Sequence, residues 1–140
     1  MQVVLRVFQT AQIFDKAAKR IFSPHGLTSA QFNVLNLLAD QKEGLRASDL
    51  ATSLIVDPSN VTGLLKRMSR DALVVDLENK ADRRQRIVAL TPKGRALWSK
   101  ASRDYEKCLL LLEELVSAKE RKLTEAVLVR LSIEASKLAD

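Results

Sequence analysis

The sequence predicts a mainly α-helical fold that contains one small β-hairpin, an α+β class. Apolar residues recur at helical spacing in six segments, which is typical of amphipathic helices. Alternation replaces this spacing only at 73–77 and 86–90, two short segments rich in β-branched residues. Two short helices joined by a tight turn and followed by a hairpin have the element order of a winged helix-turn-helix.

Length and composition narrow the class of protein further. A chain of 140 residues accommodates one domain, or one domain with an oligomerisation arm. No apolar run of about 18 residues predicts a membrane span, and the N-terminus lacks the pattern of a secretory signal. The only cysteine, Cys108, cannot form an internal disulfide. We therefore expect a cytoplasmic protein with no membrane contact.

The net charge of +6 favours a polyanionic partner, nucleic acid before acidic membrane. The positive excess is concentrated in the middle of the chain. Between Lys66 and Arg95 nine basic residues face only four acids, Asp71, Asp76, Glu78 and Asp82. A nucleic-acid contact is therefore expected in this region.

Helix-breaking and helix-capping residues predict where the first three helices begin and end. Residues 3–22 predict an amphipathic helix that ends at a Pro-Gly loop, 23–26. Thr28 and Gln31 fit a capping box that opens the second helix. After the break at Gly44, Ser48 is expected to cap a short third helix.

The fourth helix has two distinct faces. Asp57 is the expected N-cap, Pro58 takes the first helical position, and the helix continues to about Ser69. An i, i+3, i+4, i+7 pattern predicts that Val61, Leu64, Leu65 and Met68 pack inward. The opposite face carries small polar and basic residues, which a recognition helix needs in order to contact base edges and phosphates. These residues are Ser59, Asn60, Thr62, Gly63, Lys66 and Arg67.

The hairpin that follows has a long basic tip. Arg83, Arg84 and Arg86 have no obvious folding role there, and guanidinium groups on a projecting tip suit a narrow, negative minor groove. Asp82 is expected to hold an arginine by a charge-assisted pair. Thr91 and Pro92 then predict the start of a long helix, and Ser117 with Glu120 a capping box for the last one.

Two segments together resemble the MarR family of regulators. Residues 47–68, ASDLATSLIVDPSNVTGLLKRM, are similar to the helix-turn-helix of that family, and DRR at 82–84 followed by VALTPKG at 88–94 is similar to its wing and the entry to its fifth helix. The resemblance covers nearly the whole chain in element order. One departure is Ala72, where the family usually has a glycine before the first wing strand.

The resemblance implies a homodimer whose first, fifth and sixth helices intertwine, with a DNA-binding lobe at 28–92 and a dimerisation region at 1–22 and 93–140. It also implies binding to pseudo-palindromic double-stranded DNA, often with release by a small-molecule effector. Asp82 and Arg84 match the residues that order the wing and enter the minor groove.

Several residues suggest other chemistry. Cys108 falls on an apolar helix stripe, where packing is favoured over redox sensing. His25 lies either in a ligand cleft, as the resemblance suggests, or in a loop that contacts solvent or backbone. Trp98 is interpreted as a packing residue. One histidine and one cysteine are too few ligands for a metal site. The sequence indicates no pair of a nucleophile and a general base of the kind that catalysis needs, and we expect no cofactor.

The sequence thus favours a sequence-specific DNA-binding transcription regulator, a repressor rather than an enzyme. The alternative is a winged-helix module that contacts an acidic protein. The polar face of the fourth helix favours the first hypothesis, because a protein interface would more often place large apolar anchors there.

Overall fold

The computed structural model describes residues 2–54, 60–79, 82 and 84–138. The predicted mainly helical fold with a small sheet is confirmed. Its elements are α1 (Gln2–Phe22), a short 3-10 turn (Ser23–His25), α2 (Ser29–Leu38), β1 (Leu45–Arg46), α3 (Ala47–Ser53), α4 (Val61–Arg70), β2 (Val74–Leu77), β3 (Ile87–Leu90), α5 (Pro92–Glu113) and α6 (Ala118–Ser136). The chain forms two compact units, residues 1–105 and 106–140.

The turn between α1 and α2 is fixed by its backbone. Gly26 adopts a left-handed φ of 68°, and the N–H of Leu27 donates to the carbonyl of Phe22 at 3.2 Å. The Thr28–Gln31 capping box is confirmed, because each side chain accepts from the backbone N–H of the other. These contacts satisfy donors that a helix start leaves without partners.

The core of the first unit is built from α2, α3, α4 and the inner face of the sheet. Its fully buried side chains include Phe32, Leu35, Leu38, Leu50, Leu65, Met68 and Val88. Phe22 stacks on Phe32 with ring centroids 4.1 Å apart, and Tyr105 packs against both rings. Trp98 packs against this core and donates its Nε1–H to Asn36, in agreement with its predicted packing role.

The sheet has a third strand that the sequence did not predict. The strand order is β1-β3-β2, with Leu45 opposite Val88 and Arg46 opposite Ile87. Gly44, at φ 75°, makes this pairing possible, since a Cβ there would collide with the carbonyl of Val88. A two-residue strand is too short to show an alternating pattern.

The cap predicted for α3 is wrong. The helix begins at Ala47, and its N-cap is Arg46, which makes no side-chain cap bond. The N–H of Ala47 donates instead to the carbonyl of Arg86 at 2.9 Å. The strand pairing therefore satisfies the first helical donor, and Ser48 lies inside the helix.

The junction of α4, the hairpin and α5 is held by Thr91. Its N–H donates to the carbonyl of Leu73 at 3.2 Å. Its hydroxyl donates to the carbonyl of Ala72 at 2.6 Å and accepts from the N–H of Gly94 at 2.9 Å, so the predicted cap of α5 is confirmed. A Cβ at Gly94 would collide with the carbonyl of Leu73, so only glycine allows this approach.

The second unit contains the end of α5 and α6. The predicted capping box of Ser117 and Glu120 is confirmed, and the hydrogen bonds from the Ser117 hydroxyl and N–H lower the pKa of the Glu120 carboxyl. Cys108 is a free, half-buried thiol. Leucines of this unit are widely exposed, among them Leu110, Leu111, Leu115, Leu123 and Leu138. Within the described residues, no helix is long and apolar enough to cross a membrane.

The backbone at Ala72 gives a stability test. Ala72 adopts φ 58°, a left-handed conformation that costs an L-residue about 1–2 kcal/mol. We expect Ala72→Gly to raise the free energy of unfolding by about 1 kcal/mol, measured by urea denaturation at fixed chain concentration. The matched control is Ala96→Gly on the exposed side of α5, which should lower it by about 1 kcal/mol. Equal losses at both positions would contradict strain at Ala72.

Candidate nucleic-acid interface

Helix α4 separates a buried face from an exposed polar face. Val61, Leu64, Leu65 and Met68 are all buried, as the spacing predicted. The predicted recognition residues among the described part of the helix, Asn60, Thr62, Gly63, Lys66 and Arg67, are all exposed. Ser59, Asp57 and Pro58 lie outside the described residues. The exposed face is polar toward its N-terminus and basic toward its C-terminus.

Gly63 places no side chain in the middle of this face, so the helix backbone is accessible there. A Cβ there would meet only the end of the Arg67 side chain, at 3.6 Å, so packing within the chain does not require a glycine. Because a glycine in a helix interior costs about 1 kcal/mol relative to alanine, its presence favours close approach of an external group to the helix backbone.

The wing is the hairpin formed by β2 and β3, with Asp76 opposite Val88 and Leu77 opposite Ile87. Asp82 organises the described part of its tip. The Asp82 carboxylate accepts from the N–H of Arg84 at 2.9 Å, and the carbonyl of Asp82 accepts from Gln85 at 3.0 Å. Asp82 thus holds Arg84, an exposed residue, through its backbone N–H and not through its guanidinium. Arg83 lies outside the described residues.

Arg86 has a different environment from Arg84. Its Nε donates to Oδ1 of Asp76 at 2.6 Å, and its side chain is 33% exposed. Among the described residues, by contrast, no ion pair engages Lys66, Arg67 or the guanidinium of Arg84. Of the basic residues predicted to contact DNA, the described ones on α4 and Arg84 at the wing tip are therefore available to a partner.

His25 lies apart from these residues. Its Nε2 is 3.0 Å from Oδ2 of Asp104 on α5, and its side chain is 16% exposed. His25 therefore contacts Asp104 and keeps a small part of its side chain exposed. Over the described ranges, no group of three or more potential metal ligands occurs.

Comparison with known proteins places this geometry in a family. A family model described as the MarR family matches residues 25–85. The transcriptional activatory protein BadR of Rhodopseudomonas palustris is 36% identical over 99 residues, 69% of this chain and 57% of BadR. The homoprotocatechuate degradative operon repressor of Escherichia coli is 31% identical over 109 residues, 75% of this chain and 73% of the repressor. The chain belongs to the MarR family. It spans little more than half the length of BadR.

Solved structures of MarR-family proteins have the same fold. The transcriptional repressor CouR, bound to a 23-mer DNA duplex, superposes with a TM-score of 0.76 and 29% identity over 90% of this chain and 89% of CouR. BpsR of Bordetella bronchiseptica, whose DNA binding is regulated by 6-hydroxynicotinic acid, superposes with a TM-score of 0.82 and 27% identity over 94% of both chains.

The Asp82 turn can be tested by proteolysis. Asp82→Ala removes the acceptor for the N–H of Arg84, a loss of about 1 kcal/mol. We expect trypsin to cleave after Arg84 roughly fivefold faster in this variant, as followed by mass spectrometry. Glu43→Ala removes the same charge from an exposed turn and should leave that rate unchanged. An unchanged rate in Asp82→Ala would show that the turn does not depend on this carboxylate.

Proposed function

We propose that this MarR-family chain is a sequence-specific, double-stranded DNA-binding transcription regulator, and that it acts as a repressor rather than as an enzyme. The observation that carries the proposal is the exposed face of α4, where small polar groups give way to cations that have no ion pair among the described residues, followed along the chain by a wing tip that presents Arg84. The DNA-bound repressor CouR, which shares the fold, supports the same class of ligand. The activity is expected in the cytoplasm, where a regulator meets its operator.

The proposed docking follows from the charges. Asn60, Thr62 and the backbone at Gly63 would approach base edges in the major groove, while Lys66 and Arg67 would contact phosphates. Ser59 and Arg83 belong to the same predicted set but fall in the parts of the chain that the structure leaves undescribed. Arg84 would enter the adjacent minor groove, where the negative potential is strongest when the groove is narrow.

A homodimer is the proposed active form. On α1, Val4, Val7 and Phe14 form an exposed apolar stripe that continues at helical spacing into Ala18 and Phe22, which pack in the core. The second unit exposes leucines of its own. Apolar surface of this extent marks an interface. A two-fold axis would bring two α4 helices into successive major grooves, about 34 Å apart, on a pseudo-palindromic operator.

A small-molecule effector is the proposed regulator of binding. BpsR, which shares the fold, has its DNA binding regulated by 6-hydroxynicotinic acid. For this chain, His25 is the residue proposed to lie beside an effector. Its contact with Asp104 links the loop after α1 to α5.

The docking mode predicts different effects for two cations. Arg84→Ala should weaken binding to the selected operator by about 1–3 kcal/mol, because a groove contact is lost. Lys66→Ala should weaken operator and random duplex alike and reduce the salt slope by about one. Lys42→Ala is the charge-matched control, since the sheet register places its turn at the end of β3 opposite the wing tip. Fluorescence anisotropy at several salt concentrations measures all four proteins.

The operator itself comes from selection of bound sequences from a random duplex pool at near-physiological salt. An inverted repeat with a steep negative salt slope is the expected result. Weak, sequence-independent binding would reject the regulator and favour the protein-contact alternative. Equal and trivial losses in Arg84→Ala and Lys66→Ala would reject the docking mode alone.

The dimer is tested on α1. Phe14 is 53% exposed, so Phe14→Glu should leave the fold of one chain intact while placing charge in the proposed interface. We expect sedimentation velocity to give a dimer of the 15.6 kDa chain and a monomer for Phe14→Glu. Gln41→Glu adds the same charge in the exposed turn before β1 and should remain dimeric. A monomeric wild-type chain would overturn the proposal.

A further inference from the structure

Arg86 is held by contacts on both sides of β3. Its carbonyl accepts from the N–H of Ala47, the first residue of α3, at 2.9 Å. Its guanidinium bonds Asp76 on β2 at 2.6 Å. One residue therefore connects the start of the helix-turn-helix to the outer strand of the wing.

The strand register determines where this side chain points. Asp76 is opposite Val88, and residues opposite each other in a sheet share a face, as do residues two apart on one strand. Arg86, Val88, Asp76 and Val74 therefore share one face. Val88 is 0% exposed and Val74 2% exposed, so this is the core-directed face. The guanidinium extends diagonally across it to Asp76, within the reach of a long side chain.

We propose that Arg86 is a positioning residue, and that the Asp76 carboxylate occupies its guanidinium in place of a DNA phosphate. The proposal rests on the proposed DNA-binding function and assigns Arg86 a role distinct from that of Arg84. The pair ties β3 to β2 within the wing, while the backbone carbonyl of Arg86 holds α3, and the pair withholds one cation from sequence-independent contact. Asp76 is thereby a specificity-determining residue, although it carries the charge that DNA repels.

The chemistry of the pair supports this assignment. A carboxylate and a phosphate offer a guanidinium the same kind of charge-assisted acceptor, so a phosphate gains less from Arg86 while Asp76 occupies its Nε–H and offsets its charge. The pair is only partly exposed, with Arg86 at 33% and Asp76 at 48%, and this reduces its screening by salt relative to a fully solvated pair. Removal of Asp76 would release a cation close to the proposed DNA-binding surface.

The test compares salt slopes of duplex binding for wild type, Asp76→Asn, Arg86→Gln and the double variant, with Arg84→Gln as reference. Asp76→Asn should steepen the slope by about one and tighten binding to random duplex roughly fivefold at physiological salt. Arg86→Gln should leave the slope at its wild-type value and weaken operator binding roughly two- to fivefold. The double variant should have the wild-type slope, because the released cation is gone. Arg84→Gln should make the slope shallower by about one.

Arg86→Lys supplies the conservative control, since it retains a cation opposite Asp76 and should recover part of the operator affinity. A shallower slope in Arg86→Gln, equal to that of Arg84→Gln, would overturn the inference and make Arg86 a direct contact of the DNA. An unchanged slope in Asp76→Asn would overturn it as well. If the wild-type chain bound no sequence selectively, the proposed regulator would fail, while the slopes on random duplex would still decide the role of Arg86.

Discussion

The arrangement of α4, the wing and α5 depends on the carbonyl of Leu73. This carbonyl accepts from the N–H of Thr91 and lies so close to Gly94 that no side chain fits between them. Around it, α4 ends, β2 begins, β3 ends and α5 begins within a few residues. The left-handed turn at Ala72 delivers the carbonyl to this point. One backbone contact therefore determines where α4 ends, where the wing leaves it and where α5 begins.

Much of this fold could be predicted because its signals are local. The capping boxes at Thr28 and Ser117, the cap at Thr91 and the two faces of α4 each depend on residues within one or two turns, where side-chain chemistry and period decide the outcome. The hairpin strands were recovered to within one residue. The candidate site followed from the same periodicity, because an inward stripe on α4 determines which residues are left to face outward.

The features that could not be predicted depend on distant partners. Strand β1 exists because Gly44 allows Leu45 to approach Val88, a pairing across more than forty residues that leaves no pattern in two residues of sequence. Ser48 is of a residue type that often caps helices, but α3 begins one residue earlier, at Ala47, whose N–H donates to the carbonyl of Arg86. Arg84 and Arg86 look alike in the sequence, and only the structure shows that Arg84 is exposed while Arg86 is paired with Asp76.

The small strand β1 has a consequence for the operator. It pairs with β3 directly before α3 begins, so backbone hydrogen bonds join the first helix of the helix-turn-helix to the base of the wing. In the proposed complex, α4 and the wing would therefore contact the DNA at a fixed distance from each other. Each base pair inserted between the two groove contacts moves one of them by about 3.4 Å along the DNA axis. A helix and a wing that are joined in this way cannot both keep their contacts after such a shift. In the proposed DNA complex, the spacer length within each half-site therefore contributes to recognition, alongside the bases themselves.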